Sequence, residues 1–189
     1  MIPITPQLVA RVVALGAVMV ILQLAAISQV EIFGTTADVT PLLVASVGLL
    51  LGSLSGAVFG FAVGLLLDLA LVQTLGLSSL VYLAIGYWAG RLRELRDPQG
   101  ALVPFGVGAA ATAVATIGYS LMQFLLGVSG PTSFGLVREI LATILLNALI
   151  AGPVHAIARR WLLPALPDDP RRRRRRAYTT GGLSPLSRA

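Results

Sequence analysis

Polar groups inside an apolar chain mark where chemistry could occur, and this sequence has few of them. Asp68 closes the segment "GLLLGSLSGAVFGFAVGLLLD", residues 48–68, about four residues below the outer end of its helix. A carboxylate at that depth faces a bundle interior or a functional path, because lipid does not solvate it. Its options are protonation, a water cap or a cation, and depth selects Arg138, near the outer mouth of the last helix, as partner. That last helix carries a polar ridge in which Glu139, Thr143, Asn147 and His155 share a step of four, with Ala151 between. Glu139 and His155 would lie about 24 Å apart along the axis, too far for acid–base cooperation. Interhelical hydrogen bonding is the chemistry that suits the ridge. An ion or proton path through Asp68 would need several ionisable groups in series. With no cysteine and a single histidine, disulfides, thiolate metal sites and multi-histidine sites are excluded. No nucleophile–base constellation assembles, so neither enzymatic activity nor a cofactor is expected.

The elements that must position these groups are membrane helices. Of 189 residues, 56% are hydrophobic and only 12% charged, against about a quarter charged in an ordinary soluble domain. The net charge of +6 comes from the run Arg171–Arg176, without which it would be zero. A high isoelectric point therefore describes a tail, and no nucleic-acid partner is expected. The composition predicts an all-α integral membrane protein.

A spanning helix needs about 20 apolar residues. The stretch 39–72 would reach roughly 50 Å as one helix, well beyond a hydrocarbon core of about 30 Å, so it should break at "GSLSG", residues 52–56. The expected unit is then a six-helix transmembrane domain over 1–162, with helices about 10–30, 41–51, 55–72, 77–90, 102–128 and 136–160. The second helix is short and need not fully cross. Residues 163–189, with Pro164, Pro167 and Pro170, read as a disordered basic cytoplasmic tail. Arg91, Arg93, Arg96, Arg159, Arg160 and the arginine run fall on one side of this topology, which places both termini in the cytoplasm. A signal peptide over residues 1–28 is the weaker reading, given one basic residue before a long apolar run.

Gly48, Gly52, Gly56, Gly60 and Gly64 keep the step of four that Asp68 continues. Small residues at this step let helix backbones approach closely in lipid. Each step rotates about 40° around the helix, so five cannot share one straight face. Gly56, Gly60 and Gly64 can, while Gly48 and Gly52 serve the second helix and its turn. Packing within the bundle is the plain use of this face, and a surface for a partner protein is the other. Arg171, Arg172, Arg173, Arg174, Arg175 and Arg176 would attract anionic lipid at about 1 kcal/mol each near the surface.

Residues 38–92 resemble the rod shape-determining MreD family. The likeness rests on Pro41, on the glycines leading to Gly64–Asp68, on Leu75 and Gly76, and on "LVYLAIGYWAGRL" from Leu80 to Leu92. The chain departs from the family pattern in its uncharged turn "LGSLSG" and in its hexa-arginine tail. The resemblance implies a non-enzymatic component of the cell-elongation machinery in the bacterial cytoplasmic membrane. Its implied partners are an MreC-like bitopic protein, the MreB filament, and the glycosyltransferase RodA with its penicillin-binding protein. A homodimer stays open. Packing or partner contact is expected at Gly56, Gly60, Gly64, Asp68, Gly76, Arg138 and Asn147. The family is also similar in fold to the S components of energy-coupling-factor vitamin transporters, which supplies the alternative function of substrate binding. That alternative would need an outward pocket built from the dispersed residues Tyr82, Tyr87, Trp88, Tyr119 and Gln123.

Overall fold

The computed structural model describes residues 5–25, 31–32, 35–36, 38–72, 74–95, 100, 102–127 and 134–165. Six α-helices make up almost all of it: α1 (Pro6–Ala25), α2 (Thr40–Leu51), α3 (Ser53–Ala70), α4 (Leu77–Leu95), α5 (Val103–Leu125) and α6 (Phe134–Leu162). A turn of 3-10 helix over Leu163–Ala165 extends α6. A two-residue antiparallel ribbon, β1 (Glu31–Ile32) with β2 (Thr35–Thr36), lies between α1 and α2. Among the described residues four helices are long and apolar enough to cross a membrane: α1, α3, α5 and α6. The protein is an all-α membrane protein with a short second helix, as its composition requires.

The centre of the fold is a hairpin of α2 and α3 with a one-residue turn. Gly52 alone separates the two helices, at φ +102°, a conformation that costs a glycine little. Its N–H donates to the Gly48 carbonyl at 2.8 Å and its own carbonyl accepts from the Gly56 N–H at 2.9 Å, so each helix closes onto the same residue. Eleven of the twelve residues of α2 are buried, Leu50 being the exception. A helix apolar on every side has no face for water and takes the middle of a bundle. Its twelve residues reach about 18 Å, short of a hydrocarbon core. Pro41 and Pro104 sit in the first turns of α2 and α5, where a missing N–H costs nothing.

The structure moves several helix ends. α1 begins at Pro6, before the expected position 10, and α4 runs to Leu95, five residues past the expected end at 90. The extra turn of α4 carries Arg91, Arg93 and Glu94, good helix formers that work on the neighbouring helices. α6 continues through Pro153 without ending. The basic tail beyond Ala165 lies outside the described residues.

Candidate functional site

The glycine ladder of α3 meets a second ladder on α4. A side chain at Gly56 would strike the carbonyl of Gly86, one at Gly60 the carbonyl of Tyr82, and one at Gly64 the backbone of Ser78 and Ser79. Read from α4, Gly86 faces the backbone of Gly56, and Gly90 faces Gly52 and Ser53. Gly48 on α2 joins the same contact, since a Cβ there would come within 2.6 Å of the Gly86 carbonyl. Three helix backbones converge at Gly48, Gly56 and Gly86. Ser78, Tyr82, Gly86 and Gly90 also keep a step of four, so two such rows interlock in antiparallel register. Rows of this step run obliquely to the helix axis, and packing them together makes their gradual rotation an asset. Gly76 behaves differently from the expectation of helix packing: no atom lies near its missing side chain, and its φ is +92°. It serves the turn before α4.

Asp68 occupies the next rung, 1% exposed. Its carboxylate accepts the Gly76 N–H at Oδ2, 2.8 Å, and the Ser78 N–H at Oδ1, 3.3 Å. It therefore satisfies orphan amides at the start of α4, where helix polarity also favours a negative charge. The expected pairing with Arg138 does not form: Arg138 is exposed, and Asp68 has turned to backbone donors at hand. The connecting turn places Val72 at φ +52°, an unusual conformation for a β-branched residue, with 91% of it exposed.

The opposite end of the same three helices is also braced by α4. Arg93 donates to the Leu50 carbonyl near the end of α2. Glu94 Oε1 accepts both the N–H and the hydroxyl of Ser53 at the start of α3, at 2.9 and 2.7 Å. A cation at a helix C-terminus and a carboxylate at an N-terminus both match the local helix polarity. Arg91 completes the group by donating to Glu94 Oε2 at 3.4 Å. At this arginine end, α1 and α6 are tied reciprocally: Arg11 donates to the Trp161 carbonyl and the Trp161 indole to the Arg11 carbonyl, at 3.0 and 3.3 Å.

Asn147 is fully buried and links three elements. Its amide donates to the Asp38 carbonyl at 2.7 Å and to the Thr112 hydroxyl at 3.2 Å, joining α6 to α5 and to the entrance of α2. Thr143 and Ala151, one step either side, are buried as well, and Ala151 packs against Gly108. His155 is half-buried, and the side chain of Glu139 lies outside the described residues. Among the described residues no cluster of metal-ligating side chains occurs.

Above Asn147 lies a cavity of about 470 Å³. Its wall takes Gln23 from α1, Leu67 from α3, Tyr82 from α4, Thr116 and Tyr119 from α5, and Thr143 from α6. Asp38 and Thr40, at the start of α2, also face it. The Asp38 carboxylate accepts from the Thr40 N–H at 3.0 Å and from the Tyr82 hydroxyl at 3.1 Å. Burial pushes this carboxyl above the ordinary carboxylate range, and those hydrogen bonds oppose the shift. Tyr82 and Tyr119 converge on the cavity, whereas Tyr87 and Trp88 stack edge to face elsewhere and are exposed. Gln123 is not part of the wall.

This architecture can now be set beside known proteins. A family model described as rod shape-determining protein MreD matches residues 7–162. The chain belongs to the MreD family. No curated protein and no solved structure matches it. The match runs from α1 to the end of α6 and so takes in every helix described above, well beyond the central third that carries the resemblance in sequence. Membership in the MreD family gives the chain a role in rod shape determination.

Several structural residues lack a clear signal in the sequence. Asp38 reads there as a loop charge, and Arg93 and Glu94 as part of a basic loop. The reciprocal ladder of Gly86 and Gly90 was legible in principle, from the spacing in "YLAIGYWAGR", but Tyr82 and Ser78 disguise its lower rungs. The run Arg171–Arg176 lies outside the described residues.

Proposed function

We propose that the protein is a non-enzymatic scaffold of the bacterial cell-elongation machinery, set in the cytoplasmic membrane with both termini in the cytoplasm. The observation that carries this reading is the MreD family match over residues 7–162. Arginine placement supports the orientation, since Arg11, Arg91, Arg93, Arg159 and Arg160 all sit at one end of the bundle. In this role Gly56, Gly60, Gly64 and Asp68 brace the bundle from within, and Asn147 locks its flank to its centre. The partner-facing surface is then on the outer helices, where Leu141, Leu145, Leu149 and Ile157 form an exposed row along α6. Arg138 is available to partners or lipid headgroups beside it, and the six-arginine run to anionic lipid. The proposed partners are an MreC-like bitopic protein, which brings the MreB filament and the RodA synthase pair. The vitamin-transport alternative has the cavity in its favour, but a bound ligand does not require transport, and the family match favours the scaffold.

The test is co-purification of the full chain from native membranes of a rod-shaped host, with a photo-crosslinker at Leu145. Recovery of an MreC-like adduct, and rounding of cells on depletion, are the expected results. Repeated recovery of no cell-wall partner, or depletion that leaves rods intact, overturns the proposal.

A further inference from the structure

The cavity exists because α2 is short. Gly48 packs beside Gly56, and Val44 beside Gly60, so α2 runs antiparallel to α3 and ends near the level of Gly64. Leu67 of α3 and Leu71, which caps its C-terminus, stand beyond it, and both line the cavity. The start of α2, with Asp38 and Thr40, forms its floor. Every other wall residue comes from the corresponding end or half of its helix: Gln23 near the end of α1, Ser78 and Tyr82 at the start of α4, Ser120 late in α5, and Thr143 early in α6. The volume of about 470 Å³ falls inside the range of roughly 300–1,000 Å³ usual for small-molecule sites. A single stray water does not account for it, since each water occupies about 30 Å³.

The chemistry of the wall is one-sided. Among the described residues Asp38 is the only charged one in it, and no arginine pairs with that carboxylate. The Thr40 N–H and the Tyr82 hydroxyl donate to this carboxylate and the Thr40 hydroxyl lies close to it, which leaves at least one of its roughly four acceptor positions unspent. The hydroxyls nearby have largely committed their protons elsewhere. Tyr82 donates to Asp38, and Thr116 donates to the Thr112 carbonyl at 2.9 Å, so both offer lone pairs to anything in the cavity. The Thr40 hydroxyl, 1% exposed, makes no hydrogen bond of ordinary geometry. A partly buried anion with spare acceptors and no cation among the described residues is an incomplete set, because charges drawn out of bulk water are paired or solvated. A further anion would be repelled by Asp38, and a purely apolar guest would leave the acceptors stranded.

We infer that this cavity is a binding site for a small organic ammonium ion, its N–H groups donating to Asp38 and to the hydroxyls of Thr116 and Tyr82. A compact ammonium supplies several donors and one positive charge, which is what the wall lacks. The source is either a free amine or the headgroup of an aminophospholipid, since the shared group is the same. The site is independent of the scaffold reading, because it rests on the wall alone.

The test uses the full chain in nanodiscs of phosphatidylglycerol, titrated with ethanolamine hydrochloride, with thermal unfolding as readout. Sodium chloride at equal ionic strength, ethylene glycol and sodium acetate are the comparison probes. A saturable rise in Tm with ethanolamine alone is expected, following the stabilisation that a ligand confers on the folded state. Asp38→Asn should weaken the apparent affinity at least about ten-fold, the scale of a charge-assisted hydrogen bond. Thr116→Val should weaken it about five-fold, which keeps the test decisive if the Asp38 variant folds poorly. Nanodiscs containing phosphatidylethanolamine separate the two sources. A diminished response to free ethanolamine there assigns the site to a lipid headgroup, and an unchanged response assigns it to a free amine. An equal rise with sodium chloride or ethylene glycol, no rise with any probe, or a rise undiminished in both variants overturns the inference.

Discussion

The two halves of this bundle solve the same problem by opposite means. In the central half, α2, α3 and α4 meet backbone to backbone, and eleven of the twelve residues of α2 are buried. In the outer half, α5 buries only Gly108, Ala111, Thr112 and Ala115 of its 23 residues, and α6 turns Leu145 and Leu149 outward at 73% and 72% exposure. Both halves are made of apolar helices, so apolarity does not distinguish them. The difference lies in where small residues fall. Lipid rewards an exposed leucine about as well as a buried one, so the drive for association in a membrane comes from close packing and polar links. The centre has the packing, while the flank relies on narrow stripes of small residues and on the Asn147 node.

The contrast can be broken by filling the ladder. Gly60→Leu would drive a side chain into the Tyr82 carbonyl, which cannot yield without separating α3 from α4. Its cost should exceed the ~3 kcal/mol that marks the upper range of ordinary overpacking. The expected outcome is loss of folded protein by size-exclusion chromatography in mild detergent. A monodisperse variant with unchanged Tm would show that the centre is no more tightly specified than the flank.

Asp68→Asn sharpens the comparison within the central half. An asparagine can accept at its oxygen, but its amide group would oppose the second backbone N–H, so a charged acceptor and one bond are lost. About 1.5–3 kcal/mol should go with them, read as a lower Tm in nanodiscs. Glu94→Gln at the other end acts on an exposed group, and its effect should be smaller and confined to faster hydrogen exchange near Ser53. Equal losses in the two variants would mean that burial does not set the value of these caps. The smallest effect is expected in the flank. Leu145→Ala should alter the stability of the isolated protein by no more than about 0.5 kcal/mol, and a larger loss in detergent would place Leu145 in packing rather than against lipid.

What could be read from the sequence follows the same division. The glycine ladder and the break at Gly52 were visible because a step of four and a length limit leave few alternatives. Asp68 was visible as a buried group, since a carboxylate in an apolar run has nowhere else to go. Its partner was not, because backbone amides of a turn carry no signature in the sequence, whereas Arg138 stands out there as a cation of matching depth. Asp38 carries little signal for a related reason: it precedes α2 rather than lying within it. The cavity was invisible because its wall draws on positions from Gln23 to Thr143, related only by the folded bundle.

The shortness of α2 also bears on how the protein enters a membrane. Twelve residues are too few to hold a transmembrane position alone, and both ends of this helix are braced by residues of α4, through Tyr82 on Asp38 and Arg93 on Leu50. An isolated α2 is therefore not expected to insert stably, and its place in the bundle depends on the contacts that α3 and α4 supply. For this segment of the chain, topology and tertiary structure are one and the same question.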